Sequence, residues 1–299
     1  DEADRMLDMG FIHDVTRILD KIPSRENLGM FSATISREVM DISWVYQRDP
    51  EEITVQATKE NKPDILQYRL EVPSDGKVDA IAKILAHENY DRVICFCNTK
   101  GSTERLTKFL QMRGVDAQCI HGDIPQQKRE KTMRTFKDGK LPILIATDVA
   151  SRGIDVDDVD CVINYDVPEE NEYYIHRIGR TGRAGKSGAA YTIISGRKQF
   201  YELKNIASFI KADIARAELP GRDEIVARKA AHVNEKILSA VESGKYESCR
   251  ADVQKLMESG LSAEDIAVAL LGMRLSKDTK NIPEIISVPR DNGGKGGRY

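Results

Sequence analysis

The sequence has few cysteines and no long apolar stretch. Five of its 299 residues are cysteine, and their spacing does not match that of a zinc site. Cys95, Cys119 and Cys161 lie inside short apolar stretches, so we expect buried thiols in a reducing, cytoplasmic compartment rather than a disulfide framework. No stretch is apolar over the length that spans a bilayer, and no signal peptide is recognisable. A membrane partner is therefore not expected.

An excess of either charge is also missing. The 45 Lys and Arg residues nearly balance the 48 Asp and Glu residues, which leaves a net charge of −3. A site for nucleic acid or phosphate must therefore come from local clustering of charge. One such cluster is HRIGRTGR at 176–183, inside a stretch, 173–201, that has no Asp or Glu. Guanidinium groups beside glycines suit phosphate oxygens, although a basic helix end capped by glycine has the same pattern.

From residue 77 onwards, short apolar stretches alternate with amphipathic helical stretches. The predicted strands are 92–97, 117–120, 142–146, 161–165 and 189–194. Predicted helices lie before, between and after them: 77–88, 102–113, one opened by Pro125, one through Tyr173, and 197–210. Such alternation predicts an α/β fold, a doubly wound parallel sheet with crossover helices. Polar residues follow each strand directly, where ligands bind in sheets of this kind.

The pattern differs at both ends of the chain. The N-terminal part predicts helices at 8–21 and 36–48 and strands at 28–31 and 52–56. Beyond Pro220 the periodicity is helical only, and the Gly-rich end cannot bury enough apolar surface to become ordered. We predict five segments: 1–57, a linker at 58–65, a complete α/β domain at 66–212, a helical extension at 222–275 and a flexible tail at 276–299.

Several short polar segments are candidates for chemistry, and each has a plain structural alternative. DEAD at 1–4 is either a solvated acidic cluster or a set of carboxylates that holds Mg²⁺ and orients water. SAT at 32–34 and NTK at 98–100 could be a turn and a helix cap. HGD at 121–123 leads into a helix opened by proline, whose free amides could hold a nucleic-acid backbone. ATDVASRGID at 146–155 is denser in polar groups than a structural loop needs.

Together these segments resemble the consecutive C-terminal motifs of DEAD-box RNA helicases of superfamily 2. The order and spacing of DEAD, SAT, NTK, HGD, ATDVASRGID and HRIGRTGR agree with that family over residues 1 to about 210. The resemblance implies RecA-like folding: a complete second helicase domain, preceded by the C-terminal part of the first. The extension is similar to one that supports dimerisation or RNA contact in some bacterial members, although it could equally pack on the second domain.

The resemblance also implies ATP and Mg²⁺ as cofactors and assigns residues to them. Asp1 would reach Mg²⁺ through water, Glu2 would position the attacking water, and Asp155 would bond the ribose. Arg180 and Arg183 would be arginine fingers, which neutralise charge in the transition state of phosphoryl transfer.

The same resemblance implies an RNA site and residues that couple it to the nucleotide. The coupling residues would be Asp4, Ser32, Thr34 and His176, with Arg177 bracing contacts between motifs. The RNA-binding residues would be Thr99, Gly122, Gln127, Arg129, Thr147, Arg152 and Gly153. Because such contacts follow phosphates and 2′-hydroxyls, little sequence preference is expected.

The P-loop of a complete helicase is missing from the sequence. Gly185-Lys186-Ser187 ends like G-x-x-x-x-G-K-[ST], but Arg180 stands where the first glycine belongs. We therefore expect a chain that is truncated at the DEAD motif and has negligible ATPase activity by itself.

The leading hypothesis is an ATP-dependent RNA helicase that unwinds short RNA duplexes. The alternative is a non-catalytic RNA- or partner-binding module derived from a second helicase domain. A DNA helicase of the same superfamily is disfavoured, because the combination of DEAD, SAT and HRIGRTGR is characteristic of the RNA branch.

Overall fold

The computed structural model describes most of the chain: residues 2–8, 10–32, 35–54, 64–88, 90–148, 159–183 and 185–279. The chain forms two compact units, Asp1–Lys62 and Pro63–Tyr299. Among the described residues, the first unit has one hydrophobic core and the second unit has two.

The first unit is a small helical assembly. Its helices are α1 (Ala3–Asp8), α2 (Ile12–Asp20) and α3 (Arg37–Tyr46), around a core of Leu7, Val39 and Ile42. The predicted helix at 8–21 is wrong at its start. Gly10 adopts a φ of +78° and its N–H donates to the carbonyl of Leu7, so the chain turns there and α2 begins afterwards.

The two strands predicted for the first unit do not form in its described part. Residues 28–31 and 52–54 are outside any strand, while 55 and 56 are not among the described residues. An alternating apolar stretch becomes a strand only where a neighbouring strand accepts and donates its backbone hydrogen bonds. No such neighbour occurs among the described residues of this unit.

The second unit is built on a seven-stranded sheet. The strands are β1 (Ile65–Glu71), β2 (Val93–Phe96), β3 (Ala117–Ile120), β4 (Ile143–Ala146), β5 (Cys161–Asn164), β6 (Gly188–Ile194) and β7 (Ala215–Arg216). Their order is β3-β4-β2-β5-β6-β1-β7, and every pair is parallel. The prediction of a doubly wound parallel α/β sheet is therefore confirmed.

Helices cover this sheet and continue beyond it. They are α4 (Lys77–Glu88), α5 (Lys100–Met112), α6 (Gln126–Lys137), α7 (Asn171–Ile178), α8 (Gly196–Ile210), α9 (Arg222–Glu242), α10 (Arg250–Glu258) and α11 (Ala263–Thr279). Ile94 and Leu144 belong to one core, and Ile143 and Ile145 belong to the other. The central strands are thus buried on both faces, as parallel sheets require.

Two strands were not predicted. β1 lies between β6 and β7, in a stretch where Leu66, Tyr68 and Leu70 alternate with polar residues. That alternation was a usable signal. β7 has two residues and pairs only with Tyr68 and Arg69, so no periodicity could reveal it.

The cysteines agree in part with the predicted thiol burial. Cys95 and Cys161 are buried, whereas Cys119 is only half-buried. Burial raises the pKa of the Cys161 thiol well above its ordinary value. The Cys161 thiol is therefore a protonated core side chain at neutral pH.

The helical extension is anchored by its first turn. Ile225 of α9 is fully buried, and the carboxylate of Glu224 lies 3.5 Å from Nε2 of His87 on α4. Further along, Ile266 of α11 is buried as well. In the part of the chain that the structure describes, no helix combines the length and apolarity needed to cross a bilayer.

Candidate nucleotide and RNA site

Most predicted RNA-binding residues lie at one edge of the sheet. Thr99 follows β2, Gly122 follows β3 and Thr147 follows β4, and these three strands are neighbours. Gln127 and Arg129 lie in the first turn of α6, just after the loop that follows β3. The parallel sheet therefore brings five of the predicted residues to its carboxyl edge, where doubly wound sheets bind ligands. Arg152 and Gly153 are outside the described residues.

Local contacts shape the loops at this edge. The hydroxyl of Thr99 accepts a hydrogen bond from the N–H of Ser102 at 3.1 Å, so Thr99 does cap α5. Nζ of Lys100 lies 2.5 Å from a carboxylate oxygen of Asp123, which joins the start of α5 to the loop after β3. The hydrogen bond from Lys100 lowers the pKa of the Asp123 carboxyl. Gly122 is exposed, with open space where a side chain would stand.

The start of α6 offers an open helix terminus. Pro125 occupies the N-cap and provides no side-chain hydrogen bond to the first turn. Gln127 is exposed and Arg129 is half-buried, with Nη1 of Arg129 3.4 Å from the side-chain oxygen of Gln126. Free amides and nearby cationic or amide side chains are suited to an anionic backbone.

Arg177 is the most connected side chain of the site. Its Nε and Nη2 donate to the two carboxylate oxygens of Asp148 at 2.7 and 2.6 Å. Nη2 also donates to Oδ1 of Asn98 at 2.8 Å, and Nη1 donates to the carbonyl of Asp166 at 2.9 Å and to Oδ1 of Asn164 at 3.4 Å. The guanidinium thus ties together the carboxyl ends of β2, β4 and β5 from within the core.

These partners of Arg177 were not singled out by the sequence analysis. Asn98 and Asp148 belong to recognised motifs, but they had no assigned role. Asn164 is the last residue of β5 and is fully buried, where it donates to the hydroxyl of Thr192 at 3.1 Å. A polar side chain closing an apolar strand is a weak signal for such a position, because many strands end that way.

The loop that follows α7 lies at the opposite, amino end of the sheet. The carbonyl of Arg180 accepts a hydrogen bond from the N–H of Val159 at 3.2 Å, two residues before β5 begins. The buried hydroxyl of Thr181 donates to the carbonyl of Val159 at 2.5 Å. Arg183 is exposed, and its Nε donates to the carbonyl of Gly179 at 2.7 Å. The backbone of residues 179–183, which we call the arginine loop, is therefore held firmly.

In the first unit, the DEAD and SAT segments contact each other. The N–H of Asp4 donates to the hydroxyl of Ser32 at 3.1 Å, and the N–H of Ala3 donates to the carbonyl of Phe31 at 3.0 Å. Asp4 is buried, whereas Glu2 is half-buried, with a φ of +51°.

Three residues assigned to the nucleotide or to coupling cannot be placed. Asp1, Thr34 and Asp155 lie outside the described residues. His176 is half-buried in the last turn of α7. Within the described ranges, no group of three or more His, Cys, Asp or Glu side chains could hold a metal ion.

Three family models match the chain. The model of the helicase conserved C-terminal domain matches residues 76–185, and that of the DEAD/DEAH box helicase matches 1–42. The model of the RNA helicase DeaD dimerization domain matches 220–285.

Individual proteins show the same similarity. The ATP-dependent RNA helicase DeaD of Buchnera aphidicola is 39% identical over 275 residues, which is 91% of this chain and 45% of that protein. The crystal structure of a DEAD box protein from Methanococcus jannaschii is 42% identical, with a TM-score of 0.51 over 73% of this chain and 58% of the other. S. cerevisiae Dbp5 bound to RNA and ADP BeF3 is 29% identical, with a TM-score of 0.66 over 75% of this chain and 60% of that one.

The parallel sheet, its flanking helices and these structural neighbours define a RecA-like helicase fold. The chain belongs to the DEAD-box RNA helicase family. It spans about half the length of the curated relatives that it matches.

Proposed function

We propose that this chain is the C-terminal portion of an ATP-dependent RNA helicase, which couples ATP hydrolysis to local unpairing of RNA duplexes. The observation that carries the proposal is the position of Arg177. Its backbone lies three residues before Arg180, while its side chain holds Asn98 and Asp148, next to Thr99 and Thr147. One buried side chain therefore links the arginine loop to the edge that carries the candidate RNA-binding residues.

The nucleotide side of the proposal rests on ATP and Mg²⁺, which together supply the phosphoryl group and a counter-charge for it. Arg180 and Arg183 would neutralise the charge that develops on that group, since the backbone that carries them is held by Val159 and Thr181. Glu2 would orient the attacking water, Asp1 would hold Mg²⁺ through water, and Asp155 would bond the ribose.

The RNA side of the proposal is a backbone-binding surface at the carboxyl edge. Thr99, Gly122, Gln127, Arg129 and Thr147 would contact phosphates and 2′-hydroxyls, together with Arg152 and Gly153. The described members lie just after neighbouring strands or in the first turn of α6. Recognition through phosphates and shape carries little sequence information, so we propose a weak sequence preference.

Coupling between the two sides would run through the core. His176, Asp4, Ser32 and Thr34 are the further candidates for this role. A shift of the loops after β2 and β4 on RNA binding would act on the Arg177 guanidinium, and through three residues of backbone on Arg180. This connection has a structural basis because the Arg177 guanidinium donates five hydrogen bonds to protein acceptors.

The separate roles proposed for Arg183 and Arg129 can be tested in a protein that joins this chain to a P-loop domain. Arg183→Ala should lower kcat for ATP hydrolysis by about 10³-fold or more and leave RNA affinity nearly unchanged. Arg129→Ala should weaken RNA binding and reduce the slope of log affinity against log salt concentration by about one.

The matched control is Arg134→Ala, which removes an exposed arginine from the same helix, α6. Neither ATP hydrolysis nor the salt slope should change in that variant. If Arg183→Ala and Arg129→Ala each lowered hydrolysis and RNA affinity equally, the proposed roles would be wrong. The chain of 299 residues by itself should hydrolyse ATP negligibly because it has no P-loop, and RNA-stimulated turnover by the purified chain would contradict this.

The helical extension is the candidate for a contact with a second copy of the chain. We propose that residues 222–275 support a homodimer, because the dimerization-domain model matches this region and many of its apolar side chains are exposed. On α9 alone, Leu238 and Val241 are 64% and 74% exposed.

A further inference from the structure

Gly182 is a buried glycine between the last two arginines of the arginine loop. It adopts a φ of +69°, a conformation that L side chains rarely take. A Cβ atom at this position would lie 2.7 Å from Cγ1 of Ile65 and 3.1 Å from the carbonyl oxygen of Asp64. Because one obstacle is backbone and the other is a branch of a β-branched side chain, neither can move aside cheaply.

The residues around Gly182 form a close-packed seat. Gly188, the first residue of β6, is paired in register with Ile65, the first residue of β1. The N–H of Gly188 donates to the carbonyl of Asp64 at 2.8 Å. A Cβ atom on Gly188 would lie 2.6 Å from the backbone nitrogen of Gly182. The arginine loop therefore rests directly on the beginnings of β1 and β6, with no space for side chains between the backbones.

We propose that Gly182 is a positioning residue for ATP hydrolysis: its bare backbone seats the arginine loop on Asp64 and Ile65, and this seat determines where Arg180 and Arg183 stand. The proposal rests on the proposed function of those two arginines. A side chain at position 182 would lift the loop from the sheet and misplace both guanidinium groups, without removing either of them.

A second glycine serves as a control that distinguishes a steric collision at the seat from backbone strain alone. Gly185 adopts a φ of +78°, and nothing lies within 4 Å of its Cβ position. Gly182→Ala and Gly185→Ala therefore add the same methyl group in the same region of conformational space, only a few residues apart. Both changes impose strain at a positive φ, whereas only Gly182→Ala collides with the beginning of β1.

The first measurement is amide hydrogen exchange on the chain of 299 residues, which needs no enzymatic activity. In Gly182→Ala, the N–H groups of Val159 and Gly188 should exchange faster by about tenfold or more, because they are bonded to the carbonyls of Arg180 and Asp64. In Gly185→Ala they should exchange as in the wild type. The proposed seat would be contradicted if exchange at both amides were unchanged in Gly182→Ala. It would also be contradicted if exchange were accelerated equally in the two variants.

The second measurement is steady-state ATP hydrolysis by the protein that includes a P-loop domain. Gly182→Ala should lower kcat by about 10²-fold with little change in KM, since misplaced arginines act on the transition state. Gly185→Ala should retain kcat to within about twofold. An equal loss of kcat in the two variants would contradict a positioning role for Gly182.

A second-site change completes the test. Ile65→Ala removes the Cγ1 atom that the new methyl group meets, so Gly182→Ala combined with Ile65→Ala should recover part of the lost kcat relative to Gly182→Ala. Failure of the double variant to recover any kcat would count against the seat. A wild-type protein without ATPase activity would contradict the proposed function instead, and the exchange measurement would still decide whether Gly182 seats the loop.

Discussion

The guanidinium of Arg177 is the clearest case of a single residue that organises its surroundings. It is 2% exposed, and its carbon lies 5.3 Å from the centre of the Phe96 ring. A buried charge is tolerated only when it is paired and fully hydrogen-bonded, and here Asp148 supplies both the opposite charge and two acceptors. Through its contacts with Asn98, Asp148 and Asp166, the guanidinium holds together the segments that follow β2, β4 and β5.

We predict that Arg177→Ala lowers the free energy of unfolding by about 3–5 kcal/mol, because Asp148 loses its guanidinium partner in a partly buried position. Urea denaturation followed by circular dichroism would measure the change. Arg250→Ala is the control, since Arg250 makes two 2.8 Å contacts with Glu247 on an exposed surface and water can replace them. Equal destabilisation by the two changes would show that burial is not what matters at Arg177.

At the scale of elements, β6 and its neighbours bury tyrosine hydroxyl groups. Burial raises the pKa of Tyr191 on β6 to about 12. It also raises the pKa values of Tyr90 and Tyr174 above their ordinary value. The hydroxyl of Tyr174 donates to the side-chain oxygen of Gln67 on β1 at 3.0 Å. These phenols of β6, α7 and the segment before β2 therefore keep their protons in the folded protein at neutral pH.

This burial predicts a loss of stability at alkaline pH. In the unfolded chain the phenols ionise near pH 10, so above about pH 10 the unfolded state binds fewer protons than the folded state, and the free energy of unfolding falls as pH rises. Lys77 acts in the opposite direction, because burial lowers its pKa. The test is therefore the change of slope in Tyr191→Phe, measured by urea denaturation between about pH 9 and pH 11.

Tyr191→Phe should lose less stability over that range than the wild type. Tyr246→Phe, at a position that is 59% exposed, should follow the wild type. A slope that is unchanged in Tyr191→Phe would contradict the assignment of the alkaline loss to buried phenols.

At the scale of the whole molecule, the helical extension has more apolar surface than its own packing covers. The exposed apolar side chains of its helices are Ile237, Leu238, Val241, Leu256, Met257, Val268, Leu270 and Met273. Ile237, Leu238 and Val241 lie on one side of α9 by helical spacing. Exposed apolar surface of this kind is typical of a protein–protein contact.

We predict that the chain sediments as a dimer and that Leu238→Asp with Val241→Asp converts it to a monomer, because two charges would be buried in the contact. A chain lacking residues 222–275 should also be monomeric. Ser239→Asp adds a charge at an exposed position between the two, beside the apolar side of α9, and should leave the dimer intact. A wild-type chain that is monomeric at all concentrations tested by sedimentation velocity would rule out this role for the extension.

The parts of the fold that could be predicted depend on short-range patterns. β2 and β4 are continuous apolar stretches, β5 is apolar up to its last residue, Asn164, and all three are buried on both faces. The helices between them have a helical period, so alternation alone indicates a doubly wound sheet. The three-residue spacing of Ser262 and Asp265 is that of a helix cap, and at the start of α11 each side chain accepts a hydrogen bond from the other residue's N–H. The motifs likewise identify the family, because each motif consists of residues that are adjacent in the sequence.

What the sequence by itself determined was therefore the class of the sheet, most of its helices and the family; the tertiary structure decided which residues meet. β7 exists only because β1 offers a free edge, and the N-terminal apolar stretches form no strand because the described part of their unit offers none. Arg177 could be assigned a bracing role, but its partners come from residues up to 79 positions away. Gly182 must be glycine because of Ile65, 117 positions earlier in the chain. Contacts between distant segments depend on how the strands are ordered, and local periodicity carries no record of that order.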